Sequence, residues 1–472
     1  ESTDRPEGPD TARLLPDWPQ WQEALHGELG ALTGKNTYTL VDRPPGANVI
    51  GTRWVLSKKF DADGHFVKHK ARLVVAQGYS QTYGVDFTQT YSPVANAASL
   101  RLLLAISANK GYDAVDSSLD ISTVFLNGDI NGDVYVRQPP GFKDPQHPNK
   151  VWKLNKALYG LQQSPRLWYM ELHEHLLSLG FQRSGYESCL YTRRDDSSGG
   201  ELMVAVYVDN LVISGSSSAM VSEFKRSLAS KYDLTDLGEL TQILGIKVVL
   251  RDKRNKCFYL SQTSFIKDAV SKFGLDYLPA CKTPMDHTVD YTPTLGFKAD
   301  LSDDANRYRS IVGTLAWVAN WTRPQLTFTV HKLQRTQNNP EPKHFKAAER
   351  AFRYLVSTFQ FRRDAQTSEM MPTTAGGAIV KTLEVVTETG TDIMWLRNLL
   401  VDLGCPQQEP TPVVEDNSAC IEWANDLVFS KKNRHFHVSD HLAKEQVSLG
   451  AIRMFFIRTH DQVADILTKA LN

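Results

Sequence analysis

Two aspartates stand where backbone geometry alone can fix a carboxylate. Asp120 closes a short strand just ahead of the apolar Ile121, Val124 and Phe125. Asp209 lies at the tip of a hairpin whose flanking strands are too apolar to face water on both sides. Carboxylates held at strand ends or tight turns suit Mg²⁺, which takes oxygen ligands and keeps several waters. Two such ions, roughly 3.5–4 Å apart, transfer a nucleotide to a hydroxyl: one assists the attacking oxygen, the other the leaving one. Each aspartate also has a plainer reading. An Asp-Asn tip is a good turn, and an Asp after a strand is commonly a cap. The pair gains weight only from its surroundings.

The elements that would position them can be read from periodicity. Trp18 to Leu32 has the spacing of a short helix, and "TYTLV", "TRWVLSKKF" and "KARLVVAQGY" read as strands, with "DADG" as a hairpin signal. Ser99 is a plausible N-cap for "LRLLLAISANK", which stops at Gly111. Ser164-Pro165 supplies an N-cap and an N1 proline for a helix on which Trp168, Leu172, Leu176 and Leu179 recur at helical spacing, up to Gly180. "ELMVAVYVDNLVISG" reads as two strands joined at Asp209-Asn210, followed by a helix from about Val221 to Lys231 and the strand "ILGIKVVL". The order strand–helix–strand–strand–helix–strand over roughly 113–250 predicts a helix-backed antiparallel sheet. From Ser261 the chain is mainly helical; "RRDAQTSEMMPTTAGGA" breaks the pattern, and the last hundred residues alternate helix and strand.

Bulk properties exclude some classes. At 472 residues the chain suits two or three domains, and 41% hydrophobic with 22% charged residues is a globular composition. The longest apolar runs are strand-sized, so no membrane span is expected. Glu1 to Pro16 reads as a polar tail and not a signal peptide. Five scattered cysteines (Cys189, Cys257, Cys281, Cys405, Cys420) give neither a disulfide framework nor a paired zinc motif, so a reducing, intracellular setting is expected. Basic and acidic side chains balance at 53 each, which removes any overall electrostatic case for nucleic acid. The local cluster Lys58, Lys59, Lys68, His69, Lys70 and Arg72 reads by itself as a solvated charged hairpin.

The surroundings of the aspartates are specific. "KARLVVAQGYSQTYGVDFTQTYSPV", "LDISTVFLNGD", "VYVRQPPGF", "KLNKALYGLQQSPRLWY", "YVDNLVISG", "LGIKVVL", "YRSIVGTLAWVANWTRP", "DNSACIEWAN" and "DQVADILTKAL" follow one another in the order found in copia-type retrotransposons. From Trp18 onward the chain resembles the reverse transcriptase–RNase H part of a copia-type Pol polyprotein. The resemblance implies an α+β right-hand polymerase with fingers, palm and thumb, followed by an RNase H-like α/β domain. It makes Asp120 the first palm aspartate and Asp209 the first aspartate of the Tyr-x-Asp-Asp tip. Phe125 matches the aromatic that rejects a ribose 2′-hydroxyl by bulk, with an ordinary core aromatic as the alternative. Arg72, or else Lys70, matches the fingers residue that meets the triphosphate. Gln163, Ser164 and Pro165 match the segment bordering the nucleotide pocket, with a helix cap as the alternative for Ser164, and Leu244-Gly245 matches the stretch under the primer end, with a plain core strand as the alternative. Thr322–Pro324 also matches family sequence and is assigned structure only. The implied cofactor is Mg²⁺, two ions, with Mn²⁺ as substitute. The implied partners are an RNA or DNA primer–template, deoxynucleoside triphosphates and other Pol or Gag products, in the cytoplasm, within a virus-like particle, or in the nucleus.

Two departures stand out. The family tip ends in Asp-Asp, whereas this chain has Tyr207-Val208-Asp209-Asn210. Asparagine keeps the shape and loses the charge beside the metal, so impaired synthesis is expected. In the C-terminal part, Asp416 and Asp465 match the third and fourth RNase H acids, but the stretches bearing the first two are missing between Arg362 and Trp395. Glu384 or Glu388 is a weak substitute for the second acid. RNase H activity is expected to be absent and the domain incomplete, with an unprotected sheet edge. His435, His437 and His441 include a His-x-His pair, yet they fall in a segment without a metal role in the family. The expected partition is a tail over 1–16, fingers and palm over 17–254, thumb and helical connection over 255–362, and a truncated RNase H-like domain over 363–472. The rival expectation is a non-catalytic, nucleic-acid-binding or interaction protein derived from such an element.

Overall fold

The computed structural model describes residues 6–60, 66–76, 78–112, 114–121, 123–252, 257–275, 279, 281–286, 288–298, 303–360, 371–374, 386–415, 418–425 and 445–458. Helix Trp18–Gly34 buries Trp21, Leu25 and Leu32 against one face of a long antiparallel ribbon, Thr52–Phe60 with Phe66–Val75. That face carries Trp54, Leu56, Ala71, Leu73 and Val75, so period-two alternation alone decides which side is apolar. Asp17, the N-cap of the helix, ties the ribbon down by accepting from Lys58 Nζ and His69 Nε2, both at 2.8 Å. Beside it lies a four-stranded sheet in the order Tyr38–Val41, Val151–Leu154, Tyr135–Val136, Val49–Ile50.

The central sheet has six strands in the order Leu234–Asp236, Ala114–Ile121, Asn210–Gly215, Gly200–Tyr207, Leu190–Asp195, Gln182–Arg183, every neighbouring pair antiparallel. Its middle strands are buried along Leu202–Val206 and Leu211–Gly215, because helices Ala97–Lys110 and Ser218–Ala229 pack on them. This is the expected helix-backed antiparallel sheet, with one correction. Strand Ile246–Asp252 does not complete it; a tight hairpin turn pairs it with Gln242–Ile243, and it continues to Cys257–Ser261 and Met371–Thr374 in a separate sheet. Two expected caps also shift. The helix at Ala97–Lys110 is capped by Asn96, whose side chain accepts from Ala98 N at 2.9 Å, while Ser99 is buried inside it and donates to Glu187. The helix Ser164–Ser178 begins after Gln163, and Ser164 Oγ donates to Leu158 O at 2.6 Å instead of capping.

Helices Thr263–Phe273, Asp303–Trp321, Thr327–Gln334 and Pro342–Gln360 enclose a second core around Ile266, Tyr308, Leu315 and Phe352. Thr322 and Arg323 are buried there, bonded to Gln262 and Thr358 at 2.7 Å each, which fits a structural role. Helix Val386–Asp402 then returns to the central sheet. Its Ile393, Leu396, Leu399 and Leu400 join the sheet's own core, and Asp402 Oδ2 accepts from Ser184 Oγ at 2.6 Å and Gly185 N at 2.9 Å. A parallel pair, Thr411–Glu415 with Ile452–Phe456, and helix Ser418–Asn425 complete the described C-terminal elements.

Candidate active site

Strand pairing brings the expected palm positions together. Asn210 is the direct partner of Asp120, and Ile121 N donates to Asp209 O at 3.1 Å. The structure describes the backbone of Asp120, and that backbone lies between the tip on one side and Thr235 on the other. The turn differs from expectation by one residue. Tyr207 pairs with Asn210, so the two loop residues are Val208 and Asp209, and Asn210 opens the next strand. Val208 has φ 54°, a conformation that a β-branched residue adopts only under strain and that a hairpin ordinarily gives to glycine. Its carbonyl accepts from Trp168 Nε1 at 2.6 Å. The Asn210 amide in turn donates to Asp209 Oδ1 at 3.0 Å.

Arg72 and Phe125, both expected at the nucleotide, meet through a residue to which the sequence assigns no role. The Arg72 guanidinium sits over the Tyr159 ring at 4.6 Å, and Phe125 meets the same ring edge-on at 4.5 Å. Tyr159 O accepts from Val75 N at 2.7 Å, so the segment after Ala157 adds to the base of the ribbon. The crossing is close. A methyl on Gly160 would lie 2.4 Å from Val75 O, and one on Gly78 would lie 1.9 Å from Gly160 O. Gln163 is buried with its amide spent inside the protein: Oε1 accepts from Gln81 at 2.9 Å and Nε2 donates to Asp86 O at 3.0 Å. Leu244 and Gly245, both at positive φ, form the turn between Gln242–Ile243 and Ile246–Asp252.

The open face of the ribbon is basic. Cross-strand partners share a face, so Arg53, Val55, Ser57, Lys59, Lys68, Lys70, Arg72 and Val74 line one side, with five cations and no acid. Arg53, Lys59 and Lys68 are exposed. On the opposite face Lys58 and His69 are taken up by Asp17, and the Lys58 hydrogen bond above all holds the Asp17 carboxyl down at about 2.

Asp416, Asp465, Glu384, His435, His437 and His441 lie outside the described residues, and Glu388 is placed only as a backbone position in helix Val386–Asp402. Among the described residues no three or more His, Cys, Asp or Glu side chains gather as a metal cluster, and no helix is long and apolar enough to cross a membrane. In the sequence Trp168 is only an apolar position at helical spacing, which hides what its indole N–H does.

The sequence pattern of the family described as "Reverse transcriptase (RNA-dependent DNA polymerase)" matches residues 35–287, more than half of the chain. The chain belongs to this reverse transcriptase family. It is 31% identical over 494 residues to the Retrovirus-related Pol polyprotein from transposon RE1 of Arabidopsis thaliana, covering 96% of this chain and 33% of that protein. To the Retrovirus-related Pol polyprotein from transposon TNT 1-94 of Nicotiana tabacum it is 30% identical over 498 residues, covering 97% of this chain and 37% of the relative. The chain thus spans about a third of the length of these relatives, and they bear out the copia-type resemblance. Among solved structures, a foamy viral protease-reverse transcriptase in complex with double-stranded DNA is similar at a TM-score of 0.44 and 11% identity, over 93% of this chain and 70% of that one.

Proposed function

We propose that the chain is the RNA-directed DNA polymerase module of a copia-type retrotransposon, arranged as fingers, palm and thumb and weakened at one metal ligand. The observation that carries this reading is the register that sets Asp120 directly against the Asp209-Asn210 tip. Asp120 and Asp209 would hold Mg²⁺, or Mn²⁺ in its place, through hard oxygens, which fits one ion well and a second poorly with an amide at 210. When bound, such ions activate the primer hydroxyl and neutralise the leaving phosphate. The chain's own residues do the rest. Arg72, held over the Tyr159 ring, presents its fork to the triphosphate, with Lys70 two residues before it on the same face. Phe125 walls the sugar. Gln163 braces the pocket from behind, its amide bonded to Gln81 and to the carbonyl of Asp86. The basic ribbon face and the Leu244-Gly245 turn would meet the template and the primer.

Without the first two acids, Asp416 and Asp465 would not cut RNA in a hybrid, and metal-dependent cleavage would contradict this. A second reading, a nucleic-acid-binding protein without catalysis, is favoured by the Asn210 amide occupying Asp209 Oδ1. Primer extension by the chain as given and by Asn210→Asp separates them. Synthesis restored by the carboxylate supports the polymerase; a primer–template bound but never extended by either chain supports the binder.

A further inference from the structure

Trp168 joins two observations that neither the family match nor the reading above uses. Its ring is almost fully buried, at 2% exposure, wedged edge-on against Tyr232 at 5.4 Å, and its indole N–H points at the carbonyl of the strained tip residue at 2.6 Å. Val208 at φ 54° is costly for a branched side chain and persists only where surrounding contacts over-determine it. The helix Ser164–Ser178 brings the donor, and Glu171 on the same helix accepts from Tyr232 at 3.3 Å and pairs with Lys231 at 2.7 Å. The support is thus braced from two sides.

We propose that Trp168 is a positioning residue for metal binding: its hydrogen bond to Val208 O holds the tip in its strained form and so aims Asp209. This rests on the polymerase reading. The bond does not touch the reacting atoms; it removes the alternative tip conformations in which Asp209 would turn away. Groups that orient a metal ligand from behind typically change affinity or activity about 10–100-fold when lost.

The test places Trp168→Phe in the Asn210→Asp chain and titrates Mn²⁺ by calorimetry below the melting temperature. The expected result is affinity about tenfold weaker, a matching rise in the Mg²⁺ needed for half-maximal extension, and an unchanged KM for the nucleotide. A role in packing alone would lower Tm and leave both metal readouts where they were. Should Trp168→Phe prevent folding, benzothienylalanine at the same position keeps the ring and replaces only the N–H. Val208→Gly supplies an independent check, because glycine takes positive φ freely. In the Val208→Gly background the loss of the donor should cost much less than with valine in place. Equal Mn²⁺ affinity with and without the donor, or an equal cost in both backgrounds, overturns the inference alone. An Asn210→Asp chain that neither binds Mn²⁺ nor extends a primer removes the polymerase reading and this inference with it.

Discussion

Asn210 donates its side-chain amide to Asp209 Oδ1 at 3.0 Å, so the substituted position also occupies the carboxylate that remains. On the polymerase reading proposed above, position 210 would combine two effects, a lost charge and an engaged oxygen, and they can be separated. Asn210→Asp should raise primer extension by about 10²–10³-fold, the range for one well-placed electrostatic group. Asn210→Ala frees Asp209 without returning the charge and should gain less than about tenfold. Equal rates for the two variants would show that the blocked oxygen, and not the missing charge, is the defect.

Phe125 is packed against Tyr159, so part of its role is structural. In the Asn210→Asp chain, Phe125→Val should raise ribonucleotide incorporation relative to deoxynucleotide by about tenfold or more, since removing bulk beside the sugar opens space for a hydroxyl. Competition between the two nucleotides at one template position measures it. An unchanged ratio would return Phe125 to the core.

The ribbon's open face gives a prediction that needs no catalysis. Arg53→Glu, Lys59→Glu and Lys68→Glu together should weaken binding to single-stranded nucleic acid. They should also flatten the dependence of log affinity on log salt by about 2, near 0.7 for each phosphate no longer neutralised. Fluorescence anisotropy across a salt series reports both. A slope that does not move would mean that nucleic acid passes elsewhere.

How much of this was legible in the sequence depends on whether the deciding interaction was local. The ribbon, the hairpin and the central helices follow from alternation and helical spacing, and the aspartates from turn chemistry together with ordered motifs. The first cap differs from the sequence expectation because Asn96 and Ser99 both cap well and stand three residues apart; only burial of Ser99 beneath Glu187 chooses between them. Ile246–Asp252 looked like a central strand because nothing in its own residues says that Cys257–Ser261 will pair with it. The Arg72–Tyr159–Phe125 stack and the bond from Trp168 join residues 34 to 87 positions apart, a range that no periodicity reaches.

Acid should loosen the hold of Asp17 on the ribbon. Lys58 chiefly, with His69, holds the Asp17 carboxyl down at about 2, against an ordinary value of 3.8. A depressed carboxylate stabilises fully above its ordinary value and loses that contribution as pH falls through about 2. Asp17→Asn should remove this part of the acid sensitivity and cost about 1 kcal/mol at neutral pH. Urea unfolding at about pH 7 and about pH 2.5 checks both, and an identical acid profile for the variant would refute the assignment.

Asp402→Ala should cost about 1.5–3 kcal/mol, because two donors, Ser184 Oγ and Gly185 N, lose a charged acceptor at a partly buried joint. Chemical denaturation gives the number. A loss below about 0.5 kcal/mol, the floor for an ordinary hydrogen bond, would mean that the apolar packing of the helix alone secures it.

The glycine crossing also bears on motion. With Gly78 and Gly160 passing at backbone contact and Val75 N bound to Tyr159 O, the foot of the ribbon and the segment that carries Tyr159 form a welded corner. Any swing of the ribbon must begin farther out, away from this corner. On the polymerase reading proposed above, nucleotide capture would bend a cantilever whose stiffest section lies nearest the chemistry.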